Sequence, residues 1–312
     1  MRRLERFLFA AEDARRLAAL RIGLCALLAW RLASGDYTFV AGQPEALFQP
    51  VSFMKLFPQM PGHDLTVALQ IAGVAAAVLA AAGLWTRASL PLAFVCALVL
   101  NGMLNATGKI VHNDVLLLLC MIPLVASPRA AAAAWSLRLR LRRRAAPDGR
   151  PPRSGEAYGW PLRTAMVVVA LAYFFVGFQK LRFSGVDWVT SDNLRWVLYA
   201  SSDSQSEPNQ LALFIADRAW MAHLLAAGTV FFELFFPLAL LWPRLRWLFV
   251  PGVVSLHVGI WLMMGLDYSA QALTVIIVFV NWPWVVDWVR RRVSAYREGL
   301  DPGGRRDQVR TG

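Results

Sequence analysis

The chain has 312 residues, 57% of them hydrophobic, and a mean hydropathy of +0.47, which together exclude a soluble globular domain and point to a polytopic membrane protein. Its net charge of +12 would suit a nucleic-acid binder, but the Arg residues cluster in the segments between apolar runs. That distribution is a topology signature, so no nucleic-acid partner is expected; basic loops facing anionic membrane lipid are.

Residues 1–14 (MRRLERFLFAAEDA) read as a short amphipathic helix on the membrane surface. Eight apolar runs follow, at about 16–34, 65–86, 88–106, 110–127, 164–182, 219–242, 247–265 and 270–288. Arg21 and Arg31 interrupt the first run and no cleavage site follows it, so an uncleaved span is expected. Five Arg lie in residues 1–16, one at Arg87, nine in 128–163, two at Arg244 and Arg246 and seven in the tail. The other side holds Lys55, Lys109, Arg195 and Arg218, with Lys180 and Arg182 at its border. The positive-inside rule then places both termini in the cytoplasm, which requires an even number of spans. The expected fold is an all-α helix bundle with about eight transmembrane helices.

The organisation follows from these runs: an amphipathic segment 1–14, spans one to four over 15–127, a basic cytoplasmic linker 128–163, spans five to eight over 164–289, and a basic tail 290–312. Within the linker, Trp135 to Arg144 alternates Leu and Arg, which suits the inner leaflet, and the Pro/Gly/Arg stretch after it reads as flexible. The aromatic and Pro-bearing segment 35–64 reads as a loop packed at the interface. Segment 183–218, with a short helix at NLRWVLYA, either roofs an outward-facing cavity or packs on the bundle. No internal repeat of the transporter kind is visible.

Cys25, Cys96 and Cys120 all sit inside apolar runs and form no CxxC; they read as buried small hydrophobes, not as a disulfide framework or a metal site. No GxSxG, HExxH, GxGxxG or P-loop occurs. The ionisable groups inside spans are the informative ones. Arg21 and Arg31 either snorkel or pair internally. Glu233, in TVFFELFFPLALL, is either protonated and hydrogen-bonded or paired with an Arg such as Arg21. His257, in VVSLHVGIWLMM, is a hydrogen-bonded structural residue or a functional one, and Gly259 beside it permits close helix contact. His112, Asn113 and Asp114 open span four, and Lys180 ends span five, all at the non-cytoplasmic side. Only three of the 32 Lys and Arg residues are Lys. Lys180 is therefore either an interfacial anchor or, because a desolvated Lys can act as a base where Arg cannot, a functional group.

Several of these pieces resemble, in order, the membrane domain of vitamin K-dependent gamma-carboxylase and the HTTM (horizontally transferred transmembrane) domain family. They are Gly83-Leu84-Trp85-Thr86-Arg87 after span two; Val111-His112-Asn113-Asp114-Val115-Leu116 before span four; and Tyr173-Phe174, Gly177-Phe178-Gln179-Lys180-Leu181 and Asp187-Trp188-Val189. Glu233 and His257 fall where that family has an acidic residue and a histidine. The resemblance covers roughly residues 15–285. It implies a bacterial inner-membrane enzyme using a reduced quinone of vitamin K or menaquinol type, without metal, to modify a secreted peptide or protein by a carboxylase or oxygenase reaction. It makes Lys180 the base, His112 and Asn113 the other catalytic residues, and Glu233, His257 and Trp188 the cofactor-binding residues. The family has Asn-His where this chain has His112-Asn113, and a short Arg-rich tail stands where the carboxylases continue into a luminal domain. A second reading stays open: a non-catalytic lipid- or quinone-binding subunit, or an accessory factor for secreted peptide maturation.

Overall fold

The computed structural model describes residues 2–108, 111–137, 141, 154–203 and 207–299. Lys109, most of the Leu/Arg stretch after Trp135, the Pro/Gly/Arg part of the linker through Arg153 and the tail beyond Gly299 lie outside the described residues. The structure is 79% helical with almost no sheet. Arg2–Leu8 (α1) leads to a two-residue strand, Glu12–Asp13 (β1). Ala14–Ser34 (α2) and Tyr37–Ala41 (α3) follow, then His63–Ala82 (α4), Thr86–Asn105 (α5), Val115–Ala126 (α6) and Pro128–Ala131 (α7). After the linker come Ser154–Gly155 (β2) and the 29-residue Glu156–Ser184 (α8), then Asp187–Thr190 (α9), Asn193–Asp203 (α10) and Gln210–Ala216 (α11). Ala219–Phe235 (α12), Leu238–Leu241 (α13), Arg246–Met264 (α14), Ser269–Phe279 (α15) and Trp282–Gly299 (α16) complete the chain. β1 pairs antiparallel with β2, Glu12 opposite Gly155.

Local sequence sets the boundaries. Asp13 caps α2 by accepting from Arg15 N, which satisfies one of the donors a helix start leaves unpaired. α4 ends at Gly83, whose φ of +73° is the left-handed conformation that glycine adopts without a Cβ penalty. The segment 35–64, expected as a packed loop, holds α3 and two 3-10 turns, Glu45–Leu47 and Ser52–Leu56, and buries Met54 in the core.

Five helical stretches are long and apolar enough to cross a membrane: Ala14–Ser34, His63–Ala82, Thr86–Asn105, Glu156–Ser184 and Pro243–Met264. Two more qualify only when Gln210–Ala216 is joined to Ala219–Phe235, across a 99° bend, and Ser269–Phe279 to Trp282–Tyr296. The support is thus for five to seven spans. α6 has 12 residues and so rises only about 18 Å, short of the roughly 30 Å hydrocarbon core. The run expected as one span over 270–288 is two helices. Pro283 has no N–H to bond back to Phe279 O, so α15 does not continue through it and the chain breaks at Val280–Asn281, with Pro283 in the first turn of α16.

Residues 1–279 form one compact unit and residues from Val280 a second. In the first, α2 packs against α4, α6, α8 and α15, so the two expected groups of four spans share one core. A smaller cluster, Leu198, Ala212, Ile215, Ala216 and Ala222, holds α10, α11 and the start of α12 together. The second unit consists, among the described residues, of α16, whose Trp284, Trp288, Val289, Val293 and Tyr296 are exposed beside Arg290, Arg291 and Arg292.

Candidate functional site: a lysine–glutamate pair between two cavities

α8 carries Tyr173, Gly177 and Lys180 at helical spacing, which brings all three towards one side of the helix. Gly177 is the contact point with α12. A Cβ built there would lie 2.8 Å from Leu234 N and 3.0 Å from Glu233 Cβ, so only glycine permits this approach. One turn on, Lys180 Nζ donates to both oxygens of Glu233, at 2.6 and 2.5 Å. Glu233 is 5% exposed, and a carboxylate so far from water requires a compensating charge. The Trp188 ring, on α9, lies 4.7 Å from Lys180 Nζ as a cation–π partner.

This geometry makes Gly177 a sensitive position. Gly177→Ala is expected to cost about 1–3 kcal/mol by overpacking against helix backbone. Thermal unfolding of the purified variant measures it, and wild-type stability would contradict the close approach.

Lys180 and Glu233 open onto a cavity of about 410 Å³. Its walls are apolar, with Val115, Leu119, Val176, Leu256 and Ile260 among them, and its polar groups are His112, Tyr173, His257, Tyr268 and Gln271. Tyr173 Oη and His257 Nε2 are 2.7 Å apart. His257 Nδ1 is buried and has no hydrogen-bond partner among the described residues. At the cavity wall His112 packs against Tyr268, with ring centroids 5.5 Å apart, and Gln271 donates to His112 O. A second cavity of about 350 Å³ lies on the other side of Lys180. It is lined by Trp188, Asn193, Gly228, Thr229, Ser255 and Met263 among others, and shares Lys180, Leu256, Ile260 and Met264 with the first. The segment after α8 therefore does line a cavity.

A charge network braces the mouth of the first cavity. Arg31 binds Asp114 through Nε at 2.7 Å and Nη2 at 3.3 Å, and Asp267 through Nη1 at 2.8 Å. Asn113 Nδ2 donates to Asp267 O at 2.7 Å. Segment 111–114 is thereby tied to segment 265–268, which carries Tyr268. Partial burial pushes the Asp267 carboxyl up, but hydrogen bonds from Ser269 and the Arg31 guanidinium outweigh it and hold it below the usual carboxylate range. The stabilisation Asp267 contributes is thus full at neutral pH and fades only as pH falls through that lowered value.

Of the residues singled out in the sequence, Lys180, His112, Glu233 and His257 line one cavity, and Trp188 joins Lys180 at the second. Asn113 lines neither; its amide serves the brace. The Arg21–Glu233 pairing does not form. Arg21 instead donates to the carbonyls of Ala80, Ala81 and Trp135, and the partner of Glu233 is Lys180. The close contact expected at Gly259 is absent as well: a Cβ there would meet only Met263 of its own helix, whereas at Gly252, two turns earlier on the same face, it would strike the Phe232 ring. Sequence reasoning missed Tyr268, Gln271 and Asp267. The signal was available in the polar run Asp267-Tyr268-Ser269, set between two apolar stretches. Among the described residues no group of three His, Cys, Asp or Glu side chains is placed to hold a metal ion.

Searches against protein-family models, curated proteins and solved structures find no match for the chain.

Proposed function

We propose that this is a membrane protein that binds a reduced quinone of vitamin K or menaquinol type in the cavity beside Lys180 and takes up a proton from it through the Lys180–Glu233 pair. The observation that carries the reading is an ammonium–carboxylate pair, its carboxylate buried and its ammonium half-buried, at the wall of an apolar cavity that also holds two histidines and two tyrosines. The residues fit such a ligand: apolar walls suit a fused ring, and His257 Nδ1 is a buried polar atom in want of a partner. When bound, a quinol supplies two ionisable hydroxyls and two electrons. As an ammonium and a carboxylate, the pair accepts one proton at Glu233 and can release one from Lys180. In this reading the pair acts as the base, with Lys180, the base that the resemblance implied, as one of its two members. Trp188 places its ring beside the Lys180 ammonium as a cation–π partner.

The wider reading is a bacterial inner-membrane enzyme resembling the vitamin K-dependent gamma-carboxylase membrane domain, acting on a secreted peptide. Eight spans with both termini cytoplasmic agree with the Arg-rich segments on one side. The alternative is a non-catalytic lipid- or quinone-binding subunit, or an accessory factor for peptide maturation, and one observation favours it: the Lys180 amine is already engaged by both oxygens of Glu233.

Mass spectrometry of lipids that co-purify with the wild type and with Lys180→Arg tests the proposal. A quinone retained by the wild type is the expected result; phospholipid alone in both samples would overturn it. Oxidation of the quinol with dioxygen by the wild type and not by Lys180→Arg, which keeps the charge but is permanently protonated, favours the enzyme. A retained quinone turned over by neither favours the binding subunit.

A further inference from the structure

Tyr173 and His257 form a buried pair between α8 and α14, 6% and 7% exposed. A hydrogen bond between a hydroxyl and an imidazole nitrogen runs in either direction, depending on which ring nitrogen carries hydrogen. Here the tyrosine decides. Its hydroxyl has no other acceptor among the described residues. If it accepted from Nε2–H, its own hydrogen would be buried without a partner, which costs about 1–3 kcal/mol. Donation from Tyr173 to Nε2 avoids that, and a buried imidazole without a carboxylate partner is favoured as the neutral ring. The imidazole hydrogen then resides on Nδ1, the atom left without a partner on a residue that lines the cavity.

We infer that His257 Nδ1–H is a hydrogen-bond donor to a ligand oxygen in the first cavity, and that Tyr173 is the positioning residue that fixes its tautomer and ring. The inference rests on the quinol reading and deepens it by specifying the ligand's recognition chemistry: an acceptor oxygen, such as a carbonyl or a hydroxyl losing its proton. Lys180 and Glu233 line the same cavity, so one part of the wall takes a proton while another donates a hydrogen bond to oxygen that becomes more negative. His112, also at this cavity, is exposed and held to Tyr268, so it does not substitute for a buried, oriented donor.

The chain has only four His, so histidine-selective ¹⁵N labelling of the full protein in bilayers resolves His257 by solid-state NMR. The expected result is the Nδ1–H tautomer in the wild type, a mixture of tautomers in Tyr173→Phe, and a shift of the Nδ1–H resonance when a tailless 1,4-naphthoquinone is added. Tyr173→Phe keeps the ring that packs on Phe236, so the fold is retained, and it is expected to weaken naphthoquinone binding by up to about tenfold, the worth of one hydrogen bond. An Nε2–H tautomer in the wild type, or one insensitive to Tyr173→Phe, overturns the inference even where quinone is bound. Failure of the wild type to bind any quinone removes the proposed function instead, while the tautomer in ligand-free protein still decides the role of Tyr173.

Discussion

Lys180→Met is expected to destabilise the protein by about 3–5 kcal/mol, because it leaves the buried Glu233 carboxylate as an uncompensated charge, and Glu233→Gln by less, because the half-buried Lys180 ammonium keeps contact with water. The double variant is expected to recover most of that loss. Neither variant leaves a void large enough to explain the effect, since Met and Gln approximate the shapes they replace. A double-mutant cycle from unfolding in detergent measures the coupling. Additive losses would mean that Lys180 and Glu233 do not depend on one another, and the 2.6 and 2.5 Å contacts would then carry no energetic weight. The pair joins α8 to α12 where Gly177 allows the backbones to meet, so its loss should also loosen the wall between the two cavities. Quinone retention in the double variant separates the two roles of the pair. Restored stability without restored binding would assign it to the ligand as well as to the fold.

Arg21→Met carries the other large effect. Arg21 is fully buried, and its guanidinium donates to Ala80 O at 2.7 Å, Ala81 O at 3.0 Å and Trp135 O at 2.9 Å. The first two belong to the last turn of α4, beyond the helix's own i→i+4 donors; Ala80 O also accepts from Gly83 N at 3.0 Å, so Ala81 O and Trp135 O depend most on Arg21. Each carbonyl left unsatisfied costs about 1–3 kcal/mol, so the variant is expected to lose several kcal/mol and to melt well below the wild type. Arg21→Lys should recover only part of the loss, because one ammonium does not reproduce the planar fork that reaches three acceptors. Gly83→Ala tests the same joint from the other side: its φ is positive, and its Cβ would lie 2.6 Å from Arg21 Nη1. An Arg21→Met protein as stable as the wild type would show that these carbonyls find other donors.

The apolar runs were enough to anticipate a helical fold with several helices long and apolar enough to cross a membrane, because a chain in hydrocarbon must satisfy its backbone within helices and the length of each run follows from bilayer thickness. The rarity of Lys drew attention to Lys180, and depth in an apolar run did the same for Glu233 and His257. Composition could go no further on these residues, because a charge buried in a span requires a partner but does not name one. For Glu233 the sequence offered protonation or an Arg such as Arg21, and Lys180, at the end of its span, was not among the candidates. The choice was made by helix packing: Gly177 admits α12 beside Lys180, while the end of α4 presents Arg21 with carbonyls. Asn113 illustrates the same limit, since its neighbour His112 faces the cavity and it does not. The break at Val280–Asn281 was written in Asn281-Trp282-Pro283 and was overridden in reading by the apolar residues on either side. Tyr268 and Gln271 join the site only because the Arg31 brace brings 265–268 to 111–114, across more than 150 residues of chain. Hydropathy and charge are local properties of a sequence and were legible locally. Partners and cavities depend on which helix faces meet, and that is decided by side-chain volume and backbone approach in three dimensions.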